Sequence, residues 1–196
     1  MGSEMCIRDR AYAFAAGSKL KKNVRITIND NGFILTFPEN VRVKPKELLS
    51  LVNHKNLRSL VEESLEKTEI LKRRFRHVAS RSFMILKNYL GKNISVGKQQ
   101  INARLLLKIS KEIKGFPIVK ETYREILEDA MDIHNAMRVI KAIDENKIRI
   151  VISPKTKVPS PFAHNLILRW HSDVVNAESK RQMLERLHRQ VKYLIN

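Results

Sequence analysis

Residues 68–89 read TEILKRRFRHVASRSFMILKNY. Leu71, Phe75, Val78, Ala79, Ser82 and Leu86 recur at i, i+3, i+4 and i+7 spacing, which gathers them on one face of a helix predicted over 68–89. At about 100° per residue, Arg73, Arg76, His77 and Lys87 fall on the opposite side. Gly91 supplies the expected stop. One face is built to be buried and the other to meet water or a polyanion.

The segments on either side extend this helical pattern. Downstream, Lys98–Lys111 reads as a helix with Ala103, Leu106, Leu107 and Ser110 on one side, punctuated by Gly115 and Pro117. Glu121–Ile133 and Asn135–Ile143 read as consecutive helices. A last helix opens near Asp173 and turns Ala177, Leu184, Leu187, Val191 and Leu194 toward a partner surface. Upstream, Pro45 begins a helical stretch, Lys46–Asn53, and another follows Asn56, with Leu57, Leu60, Val61, Ser64 and Leu65 at helical spacing.

Strands are fewer. Asn23–Ile28 and Phe33–Phe37 are β-rich and are joined by Asn29-Asp30-Asn31-Gly32, where Asn-Gly favours a tight hairpin because glycine tolerates positive φ. Lys147–Ile152 alternates, with Ile148, Ile150 and Ile152 pointing one way, and reads as a later strand. The three prolines of Ser153–Pro161 make a loop. The predicted class is α+β and predominantly α-helical, with a short β-hairpin near the N-terminus, one later strand, and helices packed around one core.

The 196 residues carry 38 Lys and Arg against 20 Asp and Glu, a net charge of +18. That balance points to a polyanionic partner, nucleic acid first and an anionic membrane surface second. A hydrophobic content of 43% excludes a disordered basic tail. The charge is segregated: Ile70–Lys111 holds eleven Lys and Arg and no acid, and residues 146–196 hold ten against three. The remaining segments nearly cancel. A segregated field draws phosphate, whereas an evenly basic surface serves solubility alone.

One cysteine, Cys6, excludes a disulfide framework and a cysteine-based zinc site and suits a reducing compartment, so a cytoplasmic location is expected. The longest apolar runs, Ala11–Ala16 and Phe33–Phe37, are far too short to span a bilayer. Residues 1–18 are expected to be a non-native, adapter-like segment. Met1–Arg10 reads MGSEMCIRDR, and Met5–Arg10 resembles a translated sequencing adapter. It has no apolar run of the kind a secretory signal needs. On this expectation Cys6 is foreign, residues 1–18 stand outside the fold, and the natural N-terminal part is missing.

No catalytic constellation emerges. Gly91 and Gly97-Lys98 resemble a phosphate loop only superficially, since the glycine spacing is too long and Gln99 replaces the Ser or Thr that would hold magnesium. Asp144-Glu145 follows no apolar strand, and the six histidines show no metal-binding spacing. His171, Ser172 and Asp173 are adjacent, but no strand–turn–helix elbow exposes a nucleophile, and Asp173 reads better as a helix start. The fragment itself is expected to be non-catalytic.

Five pieces in order carry a family resemblance: KRRFRHVASRSFMIL over Lys72–Leu86, SVGKQQ over Ser95–Gln100, Phe116-Pro117-Ile118 through Glu121-Thr122-Tyr123-Arg124-Glu125, PSPFA over Pro159–Ala163, and Ser172-Asp173-Val174-Val175. Together they resemble the C-terminal, DEAD/H-associated region of Lhr-type superfamily 2 ATP-dependent helicases. The resemblance implies that residues 19–196 are an accessory domain of a DNA-translocating helicase, with a role in DNA repair. It places the RecA-like and winged-helix domains upstream in the same polypeptide, with ATP and magnesium held there and no cofactor in this segment. The implied partner is single-stranded DNA or a DNA/RNA hybrid, with no membrane.

The residues give that domain work. Arg73, Arg74, Arg76 and Arg81 can each make bidentate bonds to phosphates without reading sequence. Lys98, Gln99 and Gln100 begin a helix and either donate to phosphate or face water. Arg169 and Trp170 offer a cation beside a ring, for stacking on a base or for packing the domain. Phe75 shares the apolar stripe and belongs to the core, and Pro159–Ala163 is expected to seat Phe162 there too. The last helix is either an interdomain brace or a nucleic-acid contact. The other readings are a stand-alone RNA- or ribosome-binding module and a pure docking module.

Overall fold

A computed structural model of the chain describes residues 4–29, 32–171 and 180–195. In chain order its elements are α1 (Glu4–Leu20), β1 (Arg25–Asn29), β2 (Gly32–Thr36), α2 (Pro45–Leu49), α3 (Leu57–Leu65), α4 (Glu69–Arg81), β3 (Asn88–Tyr89), β4 (Lys92–Asn93), α5 (Val96–Glu112), α6 (Pro117–Arg124), α7 (Ile133–Asp144), α8 (His164–His171) and α9 (Lys180–Ile195). A π-helical turn, Glu125–Ala130, follows α6, and a 3₁₀ turn, Pro161–Ala163, precedes α8. The class is α+β and mostly helical, as the sequence indicates. The chain divides into two compact units, residues 1–8 with 54–141 and residues 9–53 with 142–196, rather than the expected single core. Periodicity marks apolar faces but does not say which faces meet.

In the first unit α4 packs on α5 and α6. Thr68 opens it: Oγ1 accepts the Leu71 N–H at 3.4 Å and donates to the Leu65 carbonyl at 2.7 Å, tying the end of α3 to the start of α4. Leu71, Phe75, Val78 and Ala79 are buried, with Phe75 at 0% exposure. Burying one such side chain contributes about 1.5–3 kcal/mol. In the same unit α3 buries Leu57, Val61 and Leu65, and α5, packed on α4, buries Ala103, Leu107 and Ser110.

The helix ends at Arg81, not at Tyr89. Ser82 Oγ donates to the Val78 carbonyl at 2.9 Å, Phe83 turns left-handed at φ 57°, and the Met84 and Ile85 N–H groups both return to the Ala79 carbonyl. These bonds close the last turn and divert the chain. Ser82 and Leu86, predicted on the apolar face, are therefore exposed, while Ile85 is buried. Gly91 is the second residue of a two-residue turn. Leu90 (φ 49°) and Gly91 (φ 76°) join β3 to β4, pairing Tyr89 with Lys92.

Farther along, the predicted helix Glu121–Ile133 is divided. α6 starts at Pro117, the π-helical turn follows, and Asp132 begins α7 by accepting the Asn135 N–H at 3.0 Å. That bond is the largest cause holding the Asp132 carboxyl below its ordinary range. The expected strand Lys147–Ile152 does not form. Asn146 takes a left-handed φ of 57°, and the Lys147 and Ile148 N–H groups donate to the Ala142 carbonyl. The backbone thus caps α7, and Ile148, Ile150 and Ile152 stay 41–42% exposed. Alternation without a partner strand makes no sheet.

In the second unit β1 and β2 form the expected antiparallel hairpin, with Arg25 opposite Thr36 and Asn29 opposite Gly32. The Gly32 N–H donates to Asn29 Oδ1 at 2.9 Å, and Gly32 itself needs no left-handed backbone. Asp30 and Asn31 lie outside the described residues. Tyr12 of α1 stacks on Phe33 at 6.2 Å, and α8 packs on β1 and α9. Residues 4–18, the described part of the expected adapter-like segment, do not stand outside the fold. α1 runs from Glu4, and Ile7 and Ala11 are at 0% exposure, the alanine run Ala11–Ala16 favouring helix. Phe162 is 87% exposed rather than core; His164 and Leu166 are buried instead. In α9 Leu187 is buried, whereas Ser172, Asp173 and Ala177 lie outside the described residues.

Candidate nucleic-acid interface

Among the described residues, three open clefts lie along α4 in the first unit; one is lined by Arg74 and Arg81 with the acids Glu121, Glu125 and Asp129, and the other two are basic. The first basic cleft, of about 360 Å³, lies between α4 and α5 and is lined by Glu69, Ile70, Lys72, Arg73 and Arg76 on one side and Gln100, Ala103 and Arg104 on the other. The second, of about 540 Å³, is lined by Ile70, Arg73, Arg74, His77, Ser80, Arg81 and Lys87. Ile70 and Arg73 line both, so Arg73 stands where the clefts meet. The apolar face of α4 is spent on the core, which leaves its arginines to line open space.

The two charge classes seen in the sequence are handled differently. Around Glu121–Asp132 the acids are matched locally: Arg124 pairs with Glu121 at 2.8 Å and with Asp129 at 2.8 Å, and Arg58 with Glu62 at 2.9 Å and Glu128 at 3.1 Å. In the acid-free segment, Lys72 pairs with Glu69 at 2.6 Å and Lys111 approaches Glu66 at 3.8 Å. Among the described residues no carboxylate pairs with Arg73, Arg76, Lys87 or Lys98, while Lys72 first, and then Arg104, help hold the Glu69 carboxyl below its ordinary range. His77 reports the resulting field. Burial first, and then Arg76, Arg74, Arg73 and Lys87, hold its pKa below the ordinary 6.5.

The residues singled out from sequence part company here. Arg73, Arg76 and Gln100 converge on the first cleft. Arg74 and Arg81 instead reach Glu125, a carboxylate only 7% exposed that opens the π-helical turn. Arg74 Nη1 donates to Glu125 Oε2 at 3.5 Å, and Arg81 Nη2 makes a closer bond to Oε1. Gln99 Nε2 donates to the Ile94 carbonyl at 2.7 Å, and the Lys98 N–H donates to Ser95 Oγ at 3.5 Å. Those bonds shape the start of α5. Arg169 and Trp170 fall on α8, and their side chains lie outside the described ones. Sequence reasoning missed Arg104, although it lies one turn beyond Gln100 on the same helix; His77 and Lys87 were placed on the polar face but not in a site.

The chain matches the DEAD/H associated family over residues 9–163. It is 47% identical over 180 residues to the ATP-dependent helicase Lhr-Core of Methanocaldococcus jannaschii, covering 91% of this chain and 21% of that protein. Lhr-Core protein 2 of Thermococcus barophilus is 43% identical over 187 residues, covering 95% and 22%. The chain thus spans about a fifth of the length of the curated relatives it matches. Among solved structures, the Mycobacterium smegmatis helicase Lhr bound to ssDNA and AMP-PNP shares its fold at a TM-score of 0.63 and 26% identity, over 83% of this chain and 20% of that one. The motifs, the fold and these likenesses agree: the chain belongs to the DEAD/H associated family, as that family occurs in Lhr-type helicases.

Proposed function

We propose that this chain is an accessory domain that holds single-stranded DNA, or the strand of a DNA/RNA hybrid, by its phosphates and buttresses the motor of an ATP-dependent Lhr-type DNA helicase working in repair. The observation that carries the binding role is the meeting of two clefts at Arg73, with Arg76, Arg104, His77 and Lys87 around it. Such cations neutralise phosphates in any sequence, which suits a strand that slides. The solved relative bound to ssDNA supports the same reading.

The buttressing role draws on α5. Within α5, Ile101, Leu105 and Ile109 recur every fourth residue and are 65%, 59% and 50% exposed, on the side away from buried Ala103, Leu107 and Ser110. An aliphatic ridge of this kind in water marks a contact surface. We assign it to other domains of the same polypeptide, since the relatives are about five times as long.

ATP and magnesium do not fit the glycine segments that resemble a phosphate loop. Gly91 closes a hairpin turn, and Gly97-Lys98 lie in the first turn of α5 with Gln99 tied to a backbone carbonyl. We assign both to the motor.

Fluorescence anisotropy against a labelled single strand, measured across salt, tests the binding role. Contact with about five phosphates lowers affinity roughly a hundredfold between about 50 and 200 mM salt. Binding indifferent to salt refutes it.

A further inference from the structure

Phe83 and Leu90 share an unusual combination. Both are large apolar residues with left-handed backbones, φ 57° and 49°, and both are more than four-fifths exposed, at 81% and 84%. A left-handed backbone disfavours such side chains, and exposure forgoes their burial. Local bonds hold them there nonetheless: the Phe83 N–H donates to the Ser80 carbonyl at 3.3 Å, and Leu90 is locked in the two-residue turn of β3–β4. Tyr89, the next residue back, is 60% exposed. Backbone cost of this kind collects where a surface is used.

The surroundings indicate the use. Phe83 lies two residues after Arg81, which Glu125 holds, and Tyr89 lies two after Lys87, which pairs with no described carboxylate; both cations line the second cleft with Arg73 and His77. The Ile94 N–H donates to the Lys87 carbonyl at 2.8 Å, which fixes the base of the hairpin beside that cleft. No acid occurs anywhere from Ile70 to Lys111. Rings offered in a field that gathers phosphates suit the faces of bases joined to them.

We propose that Phe83 and Tyr89 are base-stacking platforms for a single strand whose phosphates lie along the second cleft, with Leu90 as an apolar wedge at the hairpin tip. The proposal rests on the nucleic-acid reading above and adds a nucleobase site to it. Stacking accepts every base, so the site contributes affinity without sequence preference.

The test compares an oligo-dT strand with an abasic strand of equal length and charge, both by anisotropy at one salt concentration on the full chain. The variants are Phe83→Leu, Tyr89→Leu and Phe83→Trp, each checked by circular dichroism. Each Leu variant is expected to lose about fivefold or more in affinity for oligo-dT, the low end of ring stacking. It should bind the abasic strand as the parent does, with an unchanged salt slope, and Phe83→Trp should keep the preference for bases. Equal affinity of the parent chain for both strands, or equal losses on both in the Leu variants, overturns stacking while leaving the phosphate interface standing. A parent chain that binds neither strand overturns the nucleic-acid reading and this site with it.

Discussion

Replacing Glu125 by glutamine separates the structural arginines of α4 from the free ones. Glu125 is 7% exposed and joins Arg74 and Arg81 across 51 and 44 residues of sequence. At 3.5 Å, the Arg74 distance, a charge pair is worth about 1 kcal/mol at the dielectric of water and about 5 kcal/mol at an effective value near 20. Arg74 and Arg81 are 40% and 63% exposed, which pulls the gain toward the lower figure, and the desolvation of Glu125 offsets part of it. Glutamine keeps the shape and one acceptor. The net loss on Glu125→Gln is about 2 kcal/mol, read from urea unfolding with m held fixed. Both arginines are freed toward the second cleft, which Arg74 and Arg81 already line. Single-strand affinity should rise, and the salt slope should steepen by about 0.7 for each new phosphate contact. A variant as stable as the parent, or one that binds more weakly, would refute this division of labour, because Glu125 would then either not tether the arginines or be needed to present them.

Replacing Arg73 and Arg76 together by glutamine should leave stability within about 0.5 kcal/mol and flatten the salt slope by about 1.4 for two lost contacts, checked by melts and anisotropy. Phe75→Ala should do the reverse, costing about 3–5 kcal/mol because the ring is at 0% exposure. His77, held below 6.5, leaves the unfolded chain to take up its proton first; its stabilising contribution is present above about 6.5 and is lost as pH falls toward the folded value. Bound phosphate opposes the arginine field, so an NMR titration should find the His77 pKa raised by added single strand; an unmoved value would place no phosphate there. Glutamine at both Ile101 and Ile109 should leave urea stability within about 0.5 kcal/mol, because both side chains are at least half exposed; a larger loss would make the ridge part of the core rather than a contact surface.

What could be read locally was the apolar period of α4, the acid-free run from Ile70 to Lys111, the β1–β2 hairpin and the helix after Asn56. Each is a property of neighbours along the chain, and of the candidate site it yields Arg73, Arg76 and Gln100. The outcomes that depend on distant groups were not legible. Ser82 and Leu86 fit the helical period, yet capping bonds and the buried Ile85 end α4 first. Ile148, Ile150 and Ile152 alternate like a strand, but a strand exists only when another backbone pairs with it. Arg74 looks like Arg73 in sequence until Glu125 arrives from another element. Arg104 joins them only because α5 lies against α4. Periodicity assigns a residue to a face; the groups that fold against that face decide whether it is buried, paired or free.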